Sequence, residues 1–213
     1  MDYQEEIAKV LLKIDAVGFK PKDPVIFKSG IKSPVYVDNR KFPFYVGEWH
    51  KVIEGFENLI NRERLEFDLI AGVAVGGIPH SAALGYKMNK PSVFVRKEAK
   101  EHGQKKRVEG GEVANRKVLL VEDLVSTGSS SLSGINALRG AGAKVNDCLV
   151  IIAYGFKEAV EAFTKEKVKL YSLTTFPIVL KEALSQGKFN EEEYNVIQDW
   201  FSDPHGWAER QGF

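Results

Sequence analysis

The 213-residue chain has a formal net charge of +1, with 28% charged and 44% hydrophobic residues. That balance excludes a global basic field for nucleic acid, and the single cysteine, Cys148, excludes a disulfide framework. No apolar run approaches the ~20 residues that would span a bilayer. What remains is an ordinary globular composition suited to small-molecule chemistry in a reducing compartment, the cytoplasm by default.

The N-terminus, "MDYQEEIAKV", is acidic and shows no signal peptide. "YQEEIAKVLLKIDAV" sets Ile7, Val10, Leu11 and Ile14 at helical spacing, with Asp2 as a cap. "PVIFKSGIKSPVYVDNR" predicts two short strands around a Ser-Gly turn. "GEWHKVIEGFENLINRE" predicts an amphipathic helix, with Trp49, Val52, Ile53, Phe56, Leu59 and Ile60 on one face.

From residue 67 the pattern becomes strand, helix, strand. The strands are "FDLIAGVAV", "SVFVRKE", "KVLLVED", "NDCLVIIAYG" and "KLYSLTTF"; the intervening helices include "GGIPHSAALGYKM" and "KEAVEAFTKE". Continuous apolar strands alternating with helices predict an α/β fold, a doubly wound, mainly parallel sheet of about five strands with helices on both faces. Ligands of such sheets sit beyond the carboxyl ends of the strands. The division expected is a single domain, 1–213, with a small N-terminal hood (1–65), an α/β core (66–176) and a C-terminal helical tail (177–213). Trp200, Phe201 and Trp207 of the tail are expected to pack on the core or on a partner subunit. Cys148 lies in the apolar run "CLVIIAY" and reads as a small core residue.

The chemistry concentrates in "KVLLVEDLVSTGSSS". A strand ends in two acids, Glu122 and Asp123, and a loop of small residues then opens a helix. Free N–H groups and the helix dipole at such a terminus attract an anion. Gly128 permits close backbone approach, while Ser126, Thr127, Ser129 and Ser130 add hydroxyl donors. The loop is neither a Walker A sequence nor a dinucleotide fingerprint. Carboxylates repel a phosphate but accept hydrogen bonds from sugar hydroxyls, as in dinucleotide folds. The ligand predicted is therefore a ribose 5-phosphate, with phosphate on the loop and diol on the acids; the alternative is an acidic strand end beside an ordinary Ser-rich helix cap.

This pattern resembles the phosphoribosyl pyrophosphate motif of type I phosphoribosyltransferases. The resemblance implies that Glu122 and Asp123 bind the ribose hydroxyls. It also implies that the loop Leu124, Val125, Ser126, Thr127, Gly128, Ser129 and Ser130 holds the 5-phosphate.

Between "SVFVRKE" and "KVLLVED" runs a long polar loop, "AKEHGQKKRVEGGEVANR". Loops beyond ~12–15 residues are often lids or binding segments, although a solvated charge run is the plain alternative. "RKEAKEHG" is similar to the catalytic loop of the orotate phosphoribosyltransferases, which implies that Arg96, Lys97, Lys100 and His102 contact the diphosphate. It implies further a homodimer in which this loop reaches the neighbouring active site.

"VIFKSGIKSPVYVDNR" resembles the same family's N-terminal signature. By that resemblance Lys28 reaches the substrates and Tyr36 stacks on the pyrimidine of orotate, with Ser126 also near the base. Two positions depart from the commonest pattern. Gly76 stands where many members carry a lysine, and "IIAYGFKE" lacks the arginine that holds the orotate carboxylate. A divergent branch of the family looks similar in both regions.

The function implied is transfer of a phosphoribosyl group to orotate in pyrimidine biosynthesis. Lys100, His102 and Asp123 are the candidate catalytic residues. Mg²⁺ is expected as cofactor, bound mainly through substrate oxygens rather than a protein cage. His50, His80 and His205 are read as structural or surface residues. No nucleic-acid or membrane partner is expected. Alternatives are transfer to another base, a non-catalytic regulator that binds phosphoribosyl pyrophosphate, and a sugar-phosphate binder without turnover.

Overall fold

The computed structural model describes residues 3–27, 30–98 and 106–213. The first helix, α1 (Tyr3–Lys13), buries Ile7, Val10 and Leu11 as its periodicity predicts, and Ile14 just beyond it is buried too. Asp2, its expected cap, lies outside the described residues. Four short strands follow: β1 (Val17–Phe19), β2 (Val25–Ile26), β3 (Lys32–Ser33) and β4 (Val35–Val37). β2 and β3 form the antiparallel pair expected around the Ser-Gly turn, where Gly30 adopts φ +88°. β1 pairs with β4. A 3₁₀ helix (Asn39–Phe44), capped by the Asp38 carboxylate, leads into α2 (Val46–Glu63), whose buried stripe includes Val52, Ile53, Phe56, Leu59 and Ile60.

The core is one sheet in the order β10-β9-β8-β5-β6-β7. Five strands are parallel: β5 (Leu69–Val73), β6 (Ser92–Val95), β8 (Lys117–Val125), β9 (Lys144–Ala153) and β10 (Lys169–Thr175). The sixth, β7 (Val108–Glu109), lies antiparallel at the edge of β6. The sheet is thus one strand wider than the sequence predicts. β7 escapes sequence reading because two residues inside a polar, glycine-containing loop carry no period. Backbone pairing with Val95 and Phe94 makes the strand.

Alternate residues of the central strands enter opposite cores. Leu119, Val121, Leu149 and Ile151 join the core with α1 and α2, whereas Val118, Leu120, Cys148 and Val150 join the other. The first core also takes Leu84 of α3 (Gly77–Lys87), with α6 (Phe176–Ser185) and α7 (Glu191–Ser202). The second is closed by Ile135 and Leu138 of α4 (Ser129–Gly140) and by Ala159 and Phe163 of α5 (Lys157–Lys165). Both faces of the sheet are dry, which is why its strands read as continuous apolar runs.

The C-terminal segment packs on the core of its own chain. Trp200 of α7 and Trp207, which opens α8 (Trp207–Arg210), are fully buried. Trp200 Nε1 donates to the Lys32 carbonyl at 2.9 Å, fastening the β2–β3 hairpin from the far end of the chain. Among the described residues no helix is long and apolar enough to cross a membrane.

Candidate active site

The chain runs from β5 to β6 on one side of the sheet and from β8 through β9 to β10 on the other. The order therefore reverses between β5 and β8, the place where open α/β sheets bind ligands. The loop after β5 (Ala74, Val75, Gly76) and the end of β8 (Glu122, Asp123) meet at that crevice and line one cavity of about 640 Å³. Its opposite wall comes from the N-terminal strands, through Lys20, Phe27 and Tyr36. Ser126, Thr127, Ser129 and Ser130 line it as well.

β8 runs farther than its apolar pattern suggests. Glu122 pairs with Val150, Leu124 with Ile152 and Val125 with Ala153, so the two acids are strand residues held by ladder bonds on a rigid element. Leu124 lines the cavity. Val125 is buried and instead accepts a backbone bond from Tyr154 at 2.8 Å. Glu122 is almost fully buried, receives the Asp123 N–H at 3.2 Å on Oε1 and the Ser130 hydroxyl at 3.0 Å on Oε2.

Burial raises the Glu122 carboxyl well above the ordinary glutamate range, and the Asp123 carboxylate beside it adds repulsion. Burial raises Asp123 too. The pair therefore keeps a proton to higher pH than free carboxyls do, with Glu122 holding it.

Gly128 has φ +82°, and a Cβ on it would press on the Phe163 ring, so a glycine is required at this turn. It sits at the N-cap of α4, where no side chain caps the first turn. The leading amides of a twelve-residue helix are thus left for an anion, with hydroxyls around them.

A second cavity, of about 760 Å³, adjoins the first and shares Tyr36, Val37, Ala74, Val75, Gly76 and Asp123 with it. Arg40, Arg96 and Lys97 bring positive charge to it. Arg96 follows β6 directly; its guanidinium pairs with Glu109 at 3.2 Å and its N–H bonds the Arg107 carbonyl at 2.8 Å. Arg107 turns to the helix side instead, donating to the Ser133 carbonyl and hydroxyl at 3.2 and 3.0 Å. Lys28, Lys100 and His102 lie outside the described residues. Of the other predicted site residues, the crevice brings together Tyr36, Arg96, Lys97, the acid pair and the hydroxyls of the loop.

The three remaining histidines are placed apart from this crevice. His50 is exposed, and His205 is exposed beside Glu158. His80 is buried, accepts the Trp49 indole N–H at 3.0 Å on Nδ1, and has its pKa pushed down to about 4 by burial. Cys148 is fully buried, and burial pushes its thiol up, as suits a core residue.

Sequence reading missed Lys20, Asn39, Arg40 and the Ala74–Gly76 loop as cavity or site-support residues. "DNR" carried the only available hint, three polar residues directly after a strand, and nothing in its spacing specifies a partner 84 residues away, the Asp123 carbonyl that Asn39 binds.

A family model described as the phosphoribosyl transferase domain matches residues 47–177. The orotate phosphoribosyltransferase of Coxiella burnetii is 37% identical, over 97% of this chain and 99% of its own length. The chain belongs to the orotate phosphoribosyltransferase family. The enzyme of that name from Phocaeicola vulgatus is 40% identical over 94% of each chain. The solved orotate phosphoribosyltransferase of Aeropyrum pernix superposes with a TM-score of 0.73 at 29% identity, covering 86% of this chain and 99% of that one. Family membership accords with the fold and with the acid pair at the switch point of the sheet.

Proposed function

We infer that the chain transfers the phosphoribosyl group of phosphoribosyl pyrophosphate to orotate, giving orotidine 5-phosphate and pyrophosphate in pyrimidine biosynthesis. The observation that carries this is the acid pair on β8, buried between an uncapped helix N-terminus and a cavity walled by an aromatic residue. The loop 126–130 would take the 5-phosphate, Glu122 and Asp123 the ribose hydroxyls, and Tyr36 the flat face of the base. Lys20 lines the first cavity, as does Ser126, and offers a cation there for the orotate carboxylate.

In the transfer, the bond from ribose C1 to the diphosphate oxygen breaks and its electron pair leaves with the pyrophosphate. The bond from orotate N1 to C1 forms, and the N1 proton passes to the leaving group or solvent. Positive charge develops on the ribose ring meanwhile, and the Asp123 carboxylate would stabilise it. Arg96, Lys97, Lys100 and His102 are proposed to receive the negative charge of the leaving diphosphate. The chain supplies orientation, charge and a dry crevice, and needs no covalent nucleophile.

Mg²⁺ fits this donor set. Among the described residues, the half-buried carboxylate of Asp123 lines both cavities. The cation would be held mainly by substrate oxygens, with Asp123 as the carboxylate in reach. When bound, it would neutralise the diphosphate.

In this reading residues 1–65 act as the hood over the base, 66–176 as the phosphoribosyl-binding core and 177–213 as its helical brace. A cytoplasmic homodimer, with the basic loop crossing to the neighbouring site, belongs to the same proposal.

The test is ultraviolet absorbance of orotate mixed with the protein, phosphoribosyl pyrophosphate and Mg²⁺. Loss of signal that needs every component is the expected result. No loss with orotate, but turnover of uracil, adenine, guanine or hypoxanthine, would reassign the base. Binding of phosphoribosyl pyrophosphate with no turnover of any base would make the protein a regulator or binder.

A further inference from the structure

Gly76 lines the second cavity without a side chain. A Cβ on Gly76 would overlap the Asp123 carboxylate. The second cavity has a third cation, at the end of the signature "VIFKSGIKSPVYVDNR", to which the resemblance assigns no role. Arg40 lines that cavity beside Arg96 and Lys97. Its side chain is held in place from two directions: Nε donates to Asp38 Oδ1 at 2.6 Å, and one terminal nitrogen donates to the Tyr36 hydroxyl at 2.9 Å. The guanidinium carries five N–H donors. Two are used by these bonds, and the rest have no protein partner among the described residues.

Arg40 is also close enough to Asp123 for each charge to favour the ionised state of the other. It therefore stands between the base platform and the ribose acids, with donors to spare on the polyanion side. An arginine fork suits phosphate oxygens better than a lysine point charge does.

Accepting the transfer reaction above, we propose that Arg40 binds the diphosphate of phosphoribosyl pyrophosphate, adding a cation from the N-terminal segment to Arg96 and Lys97. Its bond to Tyr36 then links occupancy of the diphosphate subsite to the orientation of the base platform.

The experiment is direct titration of the full-length wild type, Arg40→Ala and Arg40→Lys with three probes: phosphoribosyl pyrophosphate plus Mg²⁺, pyrophosphate plus Mg²⁺, and ribose 5-phosphate. Arg40→Ala is expected to weaken the first two by about tenfold or more, the loss of a charge-assisted hydrogen bond. Ribose 5-phosphate should change by less than about twofold. Arg40→Lys should recover part of the loss. Folding is not at risk, because the side chain is more than half exposed. Equal weakening of all three probes would overturn the proposal, since Arg40 would then merely position Asp123 or Tyr36. Unchanged pyrophosphate affinity in Arg40→Ala would overturn it as well. A wild-type chain that binds no phosphoribosyl pyrophosphate would overturn the transferase reading and this proposal with it, a result distinct from a defect confined to the variant.

Discussion

Asn39 donates from Nδ2 to the backbone carbonyl of Asp123 at 2.7 Å, joining the N-terminal segment to the acid pair of β8. Asn39 is fully buried, so the bond is shielded from water. It explains how a short 3₁₀ helix far away in sequence fixes the roof of the crevice over its floor.

Asn39→Ala removes the donor and leaves the Asp123 carbonyl without it. A loss of about 1–3 kcal/mol is expected for a buried group so stranded. Urea unfolding checks the stability, and the KM for phosphoribosyl pyrophosphate should rise in parallel. An unchanged KM would mean that β8 holds Asp123 by its ladder bonds alone.

Gly76→Lys puts a side chain at the position where this chain has none beside Asp123. Position 76 has φ −64°, which any residue tolerates, so the backbone is no obstacle. The collision is with the Asp123 carboxylate. The variant should lose about tenfold or more in kcat/KM while its thermal midpoint moves by only a few degrees. Full activity would show that the carboxylate can step aside without loss of ribose binding.

Glu122→Gln is expected to stabilise the free protein at neutral pH and to impair catalysis. The folded state raises the Glu122 pKa, so it binds a proton more tightly than the unfolded chain. The wild type's stability is then fully present at pH below the unfolded value and is lost as pH rises through the folded value. Gln imitates the protonated form, so its advantage in thermal melts should grow from pH 5 to pH 8. A constant difference across that range would place the titration elsewhere.

His80 titrates in the opposite sense. Its pKa falls from 6.5 unfolded to about 4 folded, because burial disfavours the imidazolium between Phe42 and Trp49. The neutral ring's contribution is present above pH 6.5 and is lost as pH falls toward 4, a change of about 3 kcal/mol. His80→Gln should flatten that part of the curve of urea midpoint against pH. Because His80 does not line either cavity, the same variant should move stability more than KM.

The helix α1, the helix α2 and the five parallel strands were legible in sequence because each repeats an apolar signal over several residues. The acid pair and its small-residue loop were legible too, since strand, acids, glycine and hydroxyls follow one another locally. β7 was not, because two residues inside a polar loop have no period to detect. Nor were Asn39, Arg40 and Lys20, whose importance depends on which distant backbone or cavity they face. The expected roles of Lys28, Lys100 and His102 fall outside the described residues and rest on the resemblance alone.

By itself the sequence determined the α/β class, the order of the five parallel strands, and the local run of acids, glycine and hydroxyls in "VEDLVSTGSSS". Those are properties of neighbours along the chain, fixed by side-chain periodicity and by the donors and acceptors within one turn. Tertiary structure alone decided that Gly76 lies against the Asp123 carboxylate, that Asn39 holds Asp123, and that Arg40 shares a cavity with Arg96 and Lys97. Each of these depends on segments brought together by burying both faces of a twisted sheet, and no local pattern encodes which residues meet there.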